Sequence, residues 1–161
     1  MVSGKGSVKA GVASFVAAAV AQTESRHLLN AAAVSPRRYA VRLTLSGLQT
    51  PAQQHTGVHI FLGADIAADT PLTAPGYVGS ITYFDGEANA DKGAHHGSHG
   101  IVILDATDAF QALYGDGGVP EGHTLTVSLL TRALFDGVEN FAAVEEVQPA
   151  QATFEILELA D

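Results

Sequence analysis

Hydrophobic and polar positions follow two regimes along this chain, and the change comes at Pro36. Before it, Val8, Val12, Phe15, Val16, Ala19 and Val20 recur at three- and four-residue spacing, the period of a helix with one apolar stripe. The spacing predicts a helix over 7–34, after a Gly/Ser-rich start over 1–6. Such a stripe has to be buried. Val12, Phe15, Val16 and Val20 are therefore the positions expected to meet a partner or the rest of the chain.

Beyond Pro36 the period drops to two. Tyr39, Val41, Leu43 and Leu45 alternate with Arg42 and Thr44, and Leu125, Val127 and Leu129 with Thr124, Thr126 and Ser128. The pattern predicts strands over 38–46, 57–62, 76–84, 100–104, 123–130, 142–147 and 152–157. One short helix is predicted over 107–114, with Phe110, Leu113 and Tyr114 inward and Gly115 ending it. Short strands between Gly-, Pro- and Asp-rich loops, with no regular alternation of strand and helix, predict an all-β fold. The expected architecture is an antiparallel jelly-roll-like β-sandwich with an N-terminal helix and one short internal helix. The expected organisation is a helical arm over 1–37 and a sandwich domain over 38–161. The longest and most polar loop is expected over 85–100.

Composition narrows the function. Hydrophobic residues make up 47% and charged residues 16%, so a packed core is feasible and disorder is disfavoured. A net charge of −9 with only 8 Lys+Arg and no basic run excludes nucleic acid and anionic membrane surfaces as natural partners. The absence of cysteine removes disulfides, thiol catalysis, zinc-thiolate sites and iron–sulfur clusters. No apolar run approaches the ~20 residues of a membrane span, so a soluble chain is expected. Lys5 and Lys9 precede an Ala-rich stretch ending Ala19-Val20-Ala21, which reads as a helix or, alternatively, as a secretory signal. The compartment stays open.

Seven histidines are the candidate chemistry. His55 and His59 have the four-residue spacing that converges on a metal in a helix, but here the pattern runs into a strand. Residues four apart in a strand are separated by ~13 Å, beyond the reach of one metal with ~2 Å bonds. His59 is expected to be a solvent-facing or cross-strand residue, on the face opposite Val58, Ile60 and Leu62. His95, His96 and His99 sit among Gly93, Gly97 and Gly100, which leave the loop pliable enough for three imidazoles to converge. These three are the candidate metal ligands, with copper the metal considered, against the reading of a solvated loop. No Gly-x-Ser-x-Gly elbow is present, and Gly115-Asp116-Gly117-Gly118 lacks the Lys-Ser/Thr of a phosphate loop.

Read in order, several segments resemble the C-terminal β-sandwich domain of bacterial tyrosinase-like proteins and plant polyphenol oxidases. They are Val58-His59-Ile60-Phe61-Leu62-Gly63, Thr70-Pro71, Gly76-Tyr77-Val78-Gly79-Ser80-Ile81-Thr82-Tyr83-Phe84, and His95-His96-Gly97-Ser98-His99-Gly100. The stretches from Leu104 to Leu113 and from Leu125 to Leu130 follow, and Thr153-Phe154-Glu155-Ile156-Leu157 closes the series. The resemblance spans roughly 38–159. It implies a sandwich that covers the entrance to a dinuclear copper centre and can place one side chain in the pocket, with Tyr77, Tyr83 and Phe84 as candidate plugs and Tyr83 and Phe84 preferred. The copper-binding helical bundle of that family has no room in this chain. The resemblance therefore implies a non-catalytic accessory domain or small subunit of a tyrosinase-like copper oxidase, partnered by the copper-binding subunit or by further copies of itself. The alternatives are a small His-loop protein that delivers copper, and a free-standing enzyme with an unrecognised site.

Overall fold

The computed structural model describes residues 6–9, 12–19, 23–35, 37–48, 56–63, 66–67, 69–83, 100–120, 124–135, 138–143 and 151–159. In chain order the elements are β1 (Gly6–Lys9), β2 (Val12–Ala19), α1 (Thr23–Val34), β3 (Tyr39–Leu48), β4 (Thr56–Leu62) and β5 (Tyr77–Tyr83). They continue with β6 (Gly100–Asp105), α2 (Thr107–Tyr114), β7 (Thr124–Phe135), β8 (Val138–Ala143) and β9 (Gln151–Glu158). The larger sheet runs β1-β2-β7-β4-β5, with β8 also on β7; the smaller runs β6-β3-β9. All of these strand pairs are antiparallel. The chain is an all-β sandwich.

The helix expected over 7–34 is corrected. Among its described residues only Thr23–Val34 is helical, and Gly6–Lys9 and Val12–Ala19 form β1 and β2. Three- and four-residue spacing carries no meaning in an extended strand, where like positions recur every two residues. Val8, Val12 and Val16 are β-branched and fit a strand, and β2 finds a full-length partner in β7, from Val12 opposite Leu130 to Ala19 opposite Thr124. Tertiary pairing overrides the helix preference of the alanines. Within Thr23–Val34 the only β-branched residues are the two terminal ones, which suits a helix.

The two sheets enclose the main core. Val41, Leu43 and Leu45 of β3 face Val58, Ile60 and Leu62 of β4 and Leu125, Val127 and Leu129 of β7, all buried. Leu29, Ala32 and Ala33 of α1 and Phe110 of α2 join the same cluster and close one end. The two helical segments are tied together: the Asn30 side-chain oxygen accepts from the Val119 N–H at 2.6 Å. The start of α2 is stitched to β3. The Ala106 N–H donates to Val41 O, and the Val41 N–H donates to the Thr107 hydroxyl at 3.0 Å. Asp105 Oδ1 in turn accepts from the Thr107 N–H at 2.9 Å.

Gly115 ends α2 as expected, while three further expectations shift in detail. Leu113 is 38% exposed rather than inward. Strand β7 continues past Leu130 to Phe135 because β8 takes over from β2 along the same edge. Of the strand expected over 142–147, positions 142 and 143 close β8 (Val138–Ala143), and 144–147 lie outside the described residues.

Tyr114 packs its ring against Phe110 with centroids 4.9 Å apart, and burial pushes its phenol above the ordinary value. The folded chain then holds that proton more tightly than the unfolded chain. The associated stability is intact below about pH 10, the ordinary value, and is lost as pH rises through the raised value. Tyr114→Phe is expected to flatten the alkaline decline, read as the urea midpoint between about pH 9 and 11. An unchanged decline would place the alkaline sensitivity elsewhere.

Candidate functional site

The centre of the larger sheet, β4 and β7, is buried on both faces. Opposite the main core, β4 and β7 present Phe61 and Leu130, both fully buried, under the segment that joins β4 to β5. Ile66, Leu72 and Ala74 of that strap, with Tyr77, pack on the pair. Consecutive tight turns shape it: the Thr70 N–H donates to Ala67 O, the Ala74 N–H to Pro71 O, and the Tyr77 N–H to Ala74 O. Its ends are pinned to the sheet. The Gly63 N–H donates to Thr126 O at 2.8 Å, the Ser128 hydroxyl to Gly63 O at 2.6 Å, and the Leu62 N–H to Gly76 O at 2.7 Å. At its middle, the wholly buried Arg132 donates to the Thr70 carbonyl.

Beside the strap lies the most organised polar cluster among the described residues. The Ser80 hydroxyl oxygen is 2.5 Å from His59 Nδ1 and 2.6 Å from the Tyr77 phenol oxygen. His59 is buried and pairs with Ser80 across the β4–β5 ladder, so the cross-strand reading holds and the solvent-facing one does not. The register explains how Tyr77 and Ser80 come together. Residues three apart in a regular strand point to opposite faces. A bulge sets Tyr77 opposite Phe61 while Gly79 is opposite Ile60, so Val78 is the extra residue and the parity flips. Tyr77 thereby reaches both Ser80 and Phe61, whose ring centroid is 5.5 Å away. Chemically this is a hydroxyl–hydroxyl–imidazole chain whose central Ser80 oxygen is engaged from both sides. It orients Tyr77 and ties the edge strand to its neighbour.

The outer face of the smaller sheet differs. On β3 and β9 it carries the ion pair of Arg42 with Glu155, and at the end of these strands Arg38 pairs with Glu158 at 3.1 Å. The Arg38 guanidinium, hydrogen-bonded to Glu158, is held above its ordinary value and sits 5.6 Å over the Tyr39 ring. On β6 the same face exposes Ile101 at 68% and Ile103 at 60%.

Of the residues singled out in the sequence, His95, His96, His99, Val20 and Phe84 lie outside the described residues, as do the side chains of Val12, Phe15, Val16 and Tyr83. Val12, Phe15 and Val16 occupy β2 opposite Leu130, Val127 and Thr126, and Tyr83 is opposite Thr56. Among the described residues no group of three or more His, Asp or Glu could hold a metal ion. Among them, too, no helix is long and apolar enough to cross a membrane. The Tyr77–Ser80–His59 chain escaped the sequence pattern because the bulge at Val78 has no periodic signature. The parity of His59 was its one visible component.

No protein-family model matches the chain, and no curated protein matches its sequence. Its fold does match solved structures. A recombinantly expressed latent aurone synthase (polyphenol oxidase) superposes with a TM-score of 0.52 at 9% identity, over 97% of this chain and 26% of that one. The same enzyme co-crystallised with hexatungstotellurate(VI) and soaked in H2O2 gives 0.51 at 9% identity, over 98% and 26%. This chain thus spans about a quarter of the length of the proteins it matches. At that identity the likeness is one of fold: the chain shares its β-sandwich with one region of a polyphenol oxidase.

Proposed function

We propose that this chain is a non-catalytic accessory module, a domain or small subunit, that shields or stabilises a tyrosinase-like copper oxidase. The observation that carries the reading is the superposition of nearly the whole chain on about a quarter of a latent aurone synthase. The order of strand motifs from Val58 to Leu157 supports the finer assignment, to the C-terminal domain of that family. The mode of action is steric. A sheet whose central strands are buried on both faces is stiff, and a stiff sheet laid over an active-site entrance excludes water and bulky substrate without moving itself. The pinned strap and the Tyr77–Ser80–His59 chain contribute that stiffness on the outer side.

Copper, in this reading, belongs to the partner. Among the described residues no group of three or more His, Asp or Glu could hold it. A copper-delivery role would rest on His95, His96 and His99, which lie outside the described residues.

The test is purification of the untagged chain from its source, followed by mass spectrometry and metal analysis of what elutes with it. A stoichiometric copper protein is expected, as a separate chain or covalently continuous with this one. Elution without a copper protein would overturn the proposal.

A further inference from the structure

Strand edges are where sandwiches meet other chains, and the edges here are not alike. An edge strand offers a row of backbone donors and acceptors, and stable monomers blunt it with charge, proline or a bulge. Among the described strands, β9 carries Glu155 and Glu158, β8 carries Glu139, and β1 carries Lys9. The edge strand β5 is bulged at Val78, and its exposed residues Ser80 and Thr82 are polar. Strand β6 has neither proline nor bulge of its own, and its one charge, Asp105, is its last residue. From Gly100 to Leu104 it is uncharged, it is hydrogen-bonded among the described strands to β3 alone, and it exposes Ile101 and Ile103.

We propose that β6 pairs antiparallel with β6 of a second copy about a two-fold axis at Val102, joining two three-stranded sheets into one of six. The sequence of the strand selects the second copy and the register. Directly opposed residues of an antiparallel pair must point to the same face, so the axis has to pass through a residue. Centred on Val102, the pairing sets Ile101 opposite the second copy's Ile103 and Gly100 opposite its Leu104. All five residues from Gly100 to Leu104 are then used. The outer face gains a cluster of four isoleucines. On the inner face each Leu104 meets a glycine whose missing side chain leaves open space. Centring on Ile103 instead would set the Asp105 carboxylate opposite Ile101, and centring on Ile101 would leave Leu104 unpaired. Pairing β6 with β9 of another copy would bring the Glu155 edge beside the isoleucines and build an open chain. The β6–β6 contact is self-complementary and closes. The net charge of −9 does not oppose it locally, because Asp105 is held by the Thr107 amide at the end of the strand.

A contact of five residues per copy is smaller than the ~1,200 Å² of a standard stable interface, so the dimer is reversible, with a dissociation constant between about 1 µM and 1 mM. The inference does not depend on the oxidase proposal. Sedimentation velocity of the full chain over that range should show a reversible shift to twice the monomer mass. Ile103→Lys, at an exposed position, should keep the melting temperature and weaken association at least tenfold; Ile101→Lys serves the same purpose if the first variant melts early. Because the chain has no cysteine, a mixture of Ile101→Cys and Ile103→Cys should cross-link faster than either variant alone. A monomer at every concentration overturns the proposal, and so does association unchanged by both lysines or cross-linking no faster in the mixture. Failure of the oxidase to co-purify would leave these results unaffected. Loss of the oxidase by Ile103→Lys, with a wild-type chain that never self-associates, would assign the patch to the oxidase and overturn self-pairing.

Discussion

Gly76→Ala should cost about 3 kcal/mol, at the upper end for overpacking, because the added methyl has nowhere to go. A Cβ at position 76 would overlap the carbonyl oxygen of Leu62, a backbone atom inside β4 that no rotamer change can move. The same two residues are joined by the hydrogen bond from the Leu62 N–H to Gly76 O, so relief of the clash pulls the strap from the sheet. Phe61 and Leu130 would lose their cover, and Arg132 its acceptor on Thr70. Thermal denaturation should show a fall of roughly 6–12 °C, taking 2–4 °C per kcal/mol for a chain of this size. Amide exchange should quicken first at Ala74 and Tyr77. Gly117→Ala is the matched control: its Cβ would meet nothing within 4 Å, and its melting point should barely change. Equal shifts in the two variants would show that the strap is not what Gly76 secures.

Phe110→Ala should cost about 3–5 kcal/mol, the range for deleting a fully buried aromatic side chain. Phe110 is wholly buried at the point where α2 joins the main core, and the ring of Tyr114 leans on it. Truncation removes the transfer free energy of the ring and leaves a cavity between helix and sheet. The start of α2, stitched to β3 by Thr107, holds the backbone in place and keeps the cavity from collapsing. Against a typical total stability of 5–15 kcal/mol, the loss brings the variant close to its unfolding threshold at 37 °C. Phe110→Leu should recover more than half of it. Urea unfolding checks both values; a loss below about 1 kcal/mol for Phe110→Ala would mean that the helix repacks.

The sequence announced the sandwich through its period-two segments, because each inner strand has one buried face. Val41, Leu43 and Leu45, Val58, Ile60 and Leu62, and Leu125, Val127 and Leu129 were all legible for that reason. Helix α2 was legible from Thr107 to Tyr114, since Phe110 and Tyr114 mark one face. The N-terminal strands were misread because Val and Ala at three- and four-residue steps satisfy a helical template. What decides them is a partner, β7, more than a hundred positions away. The second, outer core was hidden for a related reason. His59, Ser128 and Arg132 look like solvent-facing positions of β4 and β7, and only the strap folded over them buries them. The bulge at Val78, which assembles Tyr77 with Ser80, is a property of pairing that no single segment displays.

The smaller sheet is also a clock. Its central strand β3 is the first of the three to be synthesised, yet its longest partner is β9, with Tyr39 opposite Glu158 and Ser46 opposite Gln151. The larger sheet is bridged in the same way, β2 waiting for β7. Each pairing spans more than a hundred residues, and loop closure of that length has to be made before the contacts repay it. While the chain is being synthesised, β3 is an apolar strand with one edge open until β6 emerges and the other open, and aggregation-prone, until β9 has left the ribosome. Yield in a heterologous host should therefore respond more to chaperone supply during synthesis than to the stability of the finished sandwich.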